Sequence, residues 1–210
     1  MSKARLSRRE KEKNRHKEEI LDASLKLFSE KGFHNVSMQE IAEESEFGVG
    51  TLYNFFESKD ALFEELMTST AEHVKREFSE ILDGPGTEKE RLAKFIRYQP
   101  EFQERHWKAI KLFVSELGIK GSRLSKYRNK NEVHEVLNSQ LSKLIRKGIK
   151  KGVFRAVDPV IAATSLGVTI ETLVLETTGH PDRDTVAEMF KNVEQLFIDG
   201  LLMPGGQKNE

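Results

Sequence analysis

The chain has 210 residues, 37% of them hydrophobic and 32% charged, with a formal net charge of zero. That length suits one small reading module plus one larger body, and the apolar fraction excludes a disordered chain. The absence of cysteine excludes a disulfide framework and thiolate metal sites. The charged N-terminal stretch has no apolar segment of the kind a signal peptide needs. Val160 to Leu175, the longest apolar run, is interrupted by Thr, Ser, Gly and Glu, so no membrane span or membrane partner is expected. A cytoplasmic location is the expectation.

Residues 1–17 hold eight Lys/Arg against two Glu, a net +6, and read as a basic flexible arm. A first helix is expected to start near Arg15 to Lys17 and to run to Lys31, with Gly32 as a left-handed stop. Ile20, Leu21, Ser24, Leu25, Leu27 and Phe28 make its buried stripe. Ser37, with Glu40 three residues on, forms a capping box, and Met38, Ile41 and Ala42 then share one face. After a turn at Glu46-Phe47-Gly48 a second short segment buries Leu52, Phe55 and Phe56, and small Ala42 lets the two axes cross closely. Ser58 caps a helix that continues to about Leu82. That is too long for the small module, so it is read as a lever joining the module to the body. The expected division is an arm at 1–17, a helix-turn-helix domain at 18–57 and a helical domain at 58–210.

The run Ile41-Ala42, Gly50-Thr51-Leu52-Tyr53, Phe56, Ser58-Lys59 and Leu62 resembles the TetR-type repressors. In that family a pattern of this kind forms the helix-turn-helix and enters the fourth helix. The resemblance implies an all-α fold, a three-helix DNA-binding module, and a helical ligand-binding and dimerisation domain. Two departures stand out. Ser45-Glu46 occupies the turn where the family usually has Ala-Gly, and a non-glycine residue in a left-handed conformation costs about 1 kcal/mol. Val49 stands where a polar or basic residue is common.

Thr51 and Asn54, near the start of the second segment, are the candidates for base edges or phosphates. Tyr53 and Lys59 are the candidates for phosphate oxygens. Arg15, Ser37, Met38, Val49, Gly50 and Phe55 complete the expected DNA face. Residues 18–57 carry nine acids against two lysines, a net −7, so the basic arm is expected to supply the phosphate neutralisation that the motif lacks.

Asp83-Gly84-Pro85-Gly86 ends the lever, and Thr87 with Glu90 opens the next helix, which Pro100 should break or kink. A further segment ends at Gly118. Residues 118–131 read as a polar basic loop, and Val133 to Lys151 as an amphipathic helix. Asp158-Pro159 starts a helix to Thr178 that is apolar almost all round, and Gly179-His180-Pro181 ends it. Asp184 to Leu201 is the last helix. These two helices carry more apolar surface than one subunit hides, and the resemblance implies a homodimer in which they pair with their copies. Leu166, Ile170, Phe190, Val193 and Phe197 are the expected dimerisation residues.

Six scattered histidines, with no zincin motif, nucleophile elbow or phosphate loop, give no basis for catalysis, and no cofactor or metal is expected. Phe95, Tyr98, Phe102, Trp107 and Phe113 cluster in the middle helices. With His134, Leu137, Thr169 and Leu173 they form the expected ligand pocket, since the resemblance implies a cavity there. Eleven Lys/Arg against two acids over 120–155 suggest an acidic group on a flat or greasy ligand. The expected function is a homodimeric repressor of a palindromic double-stranded DNA operator, released by a small-molecule effector. The alternative is a protein–protein adaptor that keeps the fold without reading DNA, which the acidic motif and Val49 would suit.

Overall fold

The computed structural model describes residues 7–118, 129–177 and 182–202. The expected basic loop at 118–131 falls mostly outside them, as does the stop at Gly179-His180-Pro181. Nine α-helices make up the described residues: α1 Arg8–Lys31, α2 Met38–Glu44, α3 Val49–Phe55, α4 Lys59–Leu82, α5 Glu88–Arg97, α6 Gln99–Gly118, α7 Asn129–Lys150, α8 Pro159–Thr177 and α9 Arg183–Leu201. A 3-10 turn, Phe33–Asn35, lies between α1 and α2. The fold is all-α, as expected.

Local chemistry sets most of the boundaries. Full capping boxes open α1 (Ser7 with Glu10), α2 (Ser37 with Glu40) and α5 (Thr87 with Glu90), and Ser58 caps α4. Each satisfies main-chain donors that have no partner inside the helix. The first box corrects the sequence reading, because α1 starts at Arg8 and not near Arg15. From Arg8 onward, therefore, the basic arm is a helix. Pro100 falls in the first turn of α6, where its missing N–H costs nothing, and the chain bends between α5 and α6 at Tyr98.

Two apolar cores lie along the chain. The first joins Ile20, Leu27 and Phe28 of α1, Ile41 of α2 and Leu52 of α3 to Leu62, Phe63 and Leu66 of α4. Fully buried Leu112, from α6, also belongs to it. The second begins at Phe78 of α4 and takes in Leu92 and Ile96 of α5, Leu141 to Ile145 of α7, Leu166 of α8 and Phe190 of α9. The cores part within α4, between Leu66 and Phe78, not at residue 57. The long helix thus carries one core on each half, as a lever does.

After α7 the chain turns back on itself. Gly152 takes φ +68, Val153 and Phe154 donate their N–H groups to the Gly148 carbonyl, and the Phe154 ring is buried against Gly148 itself. Phe154 pairs with Leu202 in an isolated antiparallel bridge, and Arg155 N–H donates to Leu201 O. This strap ties the end of α7 to the end of α9, and the sequence reading did not anticipate it.

The expected dimerisation residues need correction. Leu166, Ile170, Phe190 and Val193 are all buried in the chain's own second core, and Phe197 packs against it. On α8 it is the opposite face that stays open: Ile161 is 67% exposed and Val168 51%, with Leu175 further along and Leu196 on α9. By length and composition α8 would also pass as a membrane span, contrary to the sequence expectation. Its Ala163, Leu166 and Ile170 face is nonetheless built into the core.

Candidate nucleic-acid interface and ligand cavity

Helices α2 and α3 are joined by Ser45, Glu46, Phe47 and Gly48. Among the described residues Glu46 is the only non-glycine with positive φ, at +59°. The chain must turn left-handed there to cross α3 over α2, and a Cβ makes that conformation cost about 1 kcal/mol. Glu46→Gly is therefore expected to raise the melting temperature by about 2–4 °C. A melting curve followed by circular dichroism that does not move would show the turn to be unstrained. Gly48 caps α3 with backbone alone, and its carbonyl accepts from Thr51 N–H at 2.8 Å.

The open face of α3 carries Val49, Gly50, Tyr53 and Asn54, all exposed, with Thr51 half-buried. Tyr53 is 53% exposed, and no heavy atom lies within 4 Å of where a Gly50 Cβ would stand. Together with His34, Asn35, Ser37 and Gln39, Val49 and Tyr53 border a shallow open depression. The sequence reading passed over His34, Asn35 and Gln39; their signal was a set of exposed polar residues flanking a helix cap.

Met38 and Lys59 also border this depression, but they and Phe55 are engaged by the fold itself. Met38 is buried, since its side chain fills the first core, and Phe55 is half-buried against that core. Lys59 donates from Nζ to the carbonyls of Phe33 at 2.9 Å and Val36 at 2.7 Å, and stands 4.5 Å from the Phe33 ring centroid. It braces the 3-10 turn, whose carbonyls no helix satisfies, so it is not a free phosphate ligand.

The module's charge is also placed differently. Its two lysines are spent on its own acids, Lys26 on Glu44 at 2.5 Å and Lys31 on Glu40 at 2.8 Å. Lys31, then Ser37, holds the Glu40 carboxyl down at about 2. Exposed cations lie instead on the first turns of α1, at Arg8, Arg9, Lys11, Lys13 and Arg15. Arg15 also lies 3.5 Å from Glu19. This basic helix is fixed to the motif, with the His16 ring 5.0 Å from that of Phe47 in the turn and Lys17 Nζ 2.6 Å from Glu65 of α4.

A second feature lies in the body. A cavity of about 260 Å³ opens among α4, α6, α7 and α8, with Phe95 of α5 in its wall. Of the expected pocket residues, Phe95, Phe102, Phe113, His134 and Leu137 line it. The other four do not. Tyr98 packs behind Phe78 and Phe102, where burial raises its pKa, and Trp107 is 43% exposed beneath Lys111. Thr169 donates to Ser165 O, and Leu173 packs on the core.

Helix α4 supplies a wall that the sequence reading did not anticipate: Met67, Thr70, Val74 and Phe78. The described lining contains no lysine or arginine and does include Glu171, so the expectation of an acidic ligand group finds no counterpart there. Two histidine–carboxylate pairs flank the space. His134 Nε2 lies 3.3 Å from Glu171 at an exposed edge, and His106 Nε2 lies 2.8 Å from Glu77 in a less exposed place.

A capped helix, a tight turn and a second helix with an open polar face define a helix-turn-helix protein. Residues 20–66 match the family model for bacterial regulatory proteins of the tetR family. The HTH-type transcriptional regulator YhgD of Bacillus subtilis is 26% identical over 185 residues, covering 87% of this chain and 94% of the relative. The fatty acid metabolism regulator protein of the same organism is 24% identical over 189 residues, with the same coverage. Among solved structures, the regulator FadR from Bacillus subtilis in complex with stearoyl-CoA superposes with a TM-score of 0.71 at 21% identity, covering 87% of this chain and 98% of that one. A transcriptional regulator from Saccharomonospora viridis in complex with choline gives 0.75 at 22%, covering 91% and 100%. Residues 20–66 thus carry a DNA-binding module of the tetR family, and over most of its length the chain is similar to HTH-type transcriptional regulators.

Proposed function

We propose that the protein is a homodimeric repressor that leaves a palindromic operator when a small apolar molecule enters the α4–α8 cavity. The observation that carries this reading is the position of the cavity. Its wall includes Met67 to Phe78 of α4, the helix whose first half is built into the DNA-reading core. A ligand and an operator that favour different positions of α4 oppose each other reciprocally, and 1–3 kcal/mol of coupling changes operator affinity by about 5- to 150-fold. The apolar lining suits a hydrocarbon chain, and the acyl-linked names of two relatives favour the same class.

The operator would be read by Thr51, Tyr53 and Asn54, with Val49, Gly50 and Ser37 at its edge. Phosphate neutralisation would come from the helical Arg8–Arg15 segment. Binding of a palindromic duplex from its own promoter, followed by fluorescence anisotropy, is expected to fall about 5-fold or more on adding stearoyl-CoA. Unchanged affinity with saturating stearoyl-CoA would remove the acyl assignment.

The second copy would cover the outer face of α8. Ile161, Val168 and Leu175 recur along that helix, with Leu196 beside them, and an open apolar face of this extent suits a two-fold contact. Val168→Glu is expected to give a folded monomer by analytical ultracentrifugation, because the two-fold axis would bring two carboxylates into an apolar contact. A dimer that survives the change would place the interface elsewhere.

A further inference from the structure

Among the residues lining the cavity, His106 has a second attachment. Its ring lies 4.6 Å from that of Phe102, deep in the aromatic part of the lining, and its Nε2 reaches Glu77 of α4 at 2.8 Å. Glu77 is itself mostly buried and receives more than one group from the body. Arg105 of α6 also approaches it, at 3.4 Å. One carboxylate on the lever is thus held by two side chains of α6, and of the two only His106 also forms cavity wall.

We propose that His106 is the residue through which an occupied cavity acts on α4. A mostly apolar ligand, carrying one hydrogen-bonding group set against this imidazole, exchanges the His106–Glu77 bond for a His106–ligand bond. This rests on the ligand-controlled reading above and adds to it a specific residue and a requirement on the ligand. A purely hydrocarbon molecule fills the space without releasing Glu77, whereas one with a donor or acceptor near His106 releases it. The other lining histidine does not have this property. His134 pairs with Glu171 of α8, a helix that carries no part of the DNA-reading core.

With that bond exchanged, Glu77 keeps the longer 3.4 Å contact of Arg105, and further ties of α4 to the body lie at its far end, where Gln140 donates to Ser79 at 2.7 Å and Arg91 to the Leu82 carbonyl at 3.0 Å. The half of α4 facing the cavity then moves with the DNA module, not with α6. The tie also explains why this carboxylate stands in a mostly buried place on the lever. Its charge is met by groups that only the body supplies.

The test uses the full chain and N-phenyl-1-naphthylamine, a neutral three-ring fluorophore with a single N–H. Its emission reports entry into the cavity, and hydrogen–deuterium exchange over residues 68–80 reports the tie. Exchange in that stretch is expected to quicken about tenfold when the fluorophore binds the wild-type protein. In Glu77→Ala it is expected to be fast already and to change no further. His106→Gln, which keeps a donor for Glu77, is expected to retain slow exchange without the fluorophore, whereas His106→Leu loses it. Binding of the fluorophore with exchange unchanged in the wild type overturns the role of His106 and leaves the ligand-controlled reading standing. Failure of the fluorophore to bind, with emission flat to saturation, overturns the ligand cavity and this proposal with it. The wild-type comparison needs no variant, so a misfolded Glu77→Ala would not decide the matter.

Discussion

Phe190→Glu is expected to unfold the protein, not to split a dimer. Phe190 is 1% exposed within the chain's own second core, on a helix that packs against α5, α6 and α8. Removing the ring alone costs about 3–5 kcal/mol, and an unpaired carboxylate left there adds to it. At this chain length a loss of about 4 kcal/mol lowers the melting temperature by about 8–16 °C, a large part of the 5–15 kcal/mol that holds a typical domain. Thermal unfolding followed at 222 nm tests it. A variant with wild-type melting and monomeric sedimentation would return Phe190 to the interface.

Gly148→Ala is expected to cost more than its helix propensity returns. Alanine at a helical position ordinarily gains about 1 kcal/mol over glycine. A Cβ on residue 148, however, would stand 2.1 Å from Phe154 Cδ2 and 2.5 Å from Cε2. The ring cannot swing away cheaply, because Phe154 N–H is bonded to Gly148 O and the residue is paired with Leu202. Overpacking of this kind costs about 1–3 kcal/mol, here at its upper end, giving a net loss of about 2 kcal/mol and a melting point about 4–8 °C lower. Phe154→Leu in the same chain should recover part of it, since contacting residues do not add independently. Full additivity in that double-mutant cycle would mean the ring had already moved aside.

The sequence was legible wherever the signal was local. Ser37 with Glu40, Ser58, and Thr87 with Glu90 each sit three residues from the N–H they satisfy, and each opens the helix expected of it. Ser7 with Glu10 carries the same signal, but it precedes the first apolar residue of the stripe, and a reading by hydrophobic periodicity starts too late to use it. On α8 periodicity has no phase to offer. A helix apolar on every side does not reveal whether Leu166 or Val168 points inward. On α9 the stripe through Phe190 and Val193 was identified correctly as buried, and only what buries it was misassigned. The cavity was half legible for a related reason. Aromatic residues announce themselves by size, whereas Met67, Thr70 and Val74 of α4 differ from ordinary core residues only in having space beside them. Lys59 shows the opposite hazard, a charged residue in a DNA-reading motif whose partners are the main chain of its own turn.

Leu112 bears on any attempt to exchange parts between such proteins. It belongs to α6, yet it is fully buried in the first core, on the side where α6 packs against α1. A hybrid regulator made by joining one protein's first 60 or so residues to another's body would bring a foreign side chain into that socket. The seam that looks natural in the linear sequence therefore cuts through a packed contact. A graft that carries the residue at position 112 along with the reading head, or matches its volume, keeps the head seated. One that ignores it leaves a void or a clash where α6 meets the reading head, and the sensor would lose its grip on DNA for reasons unrelated to the bases it reads.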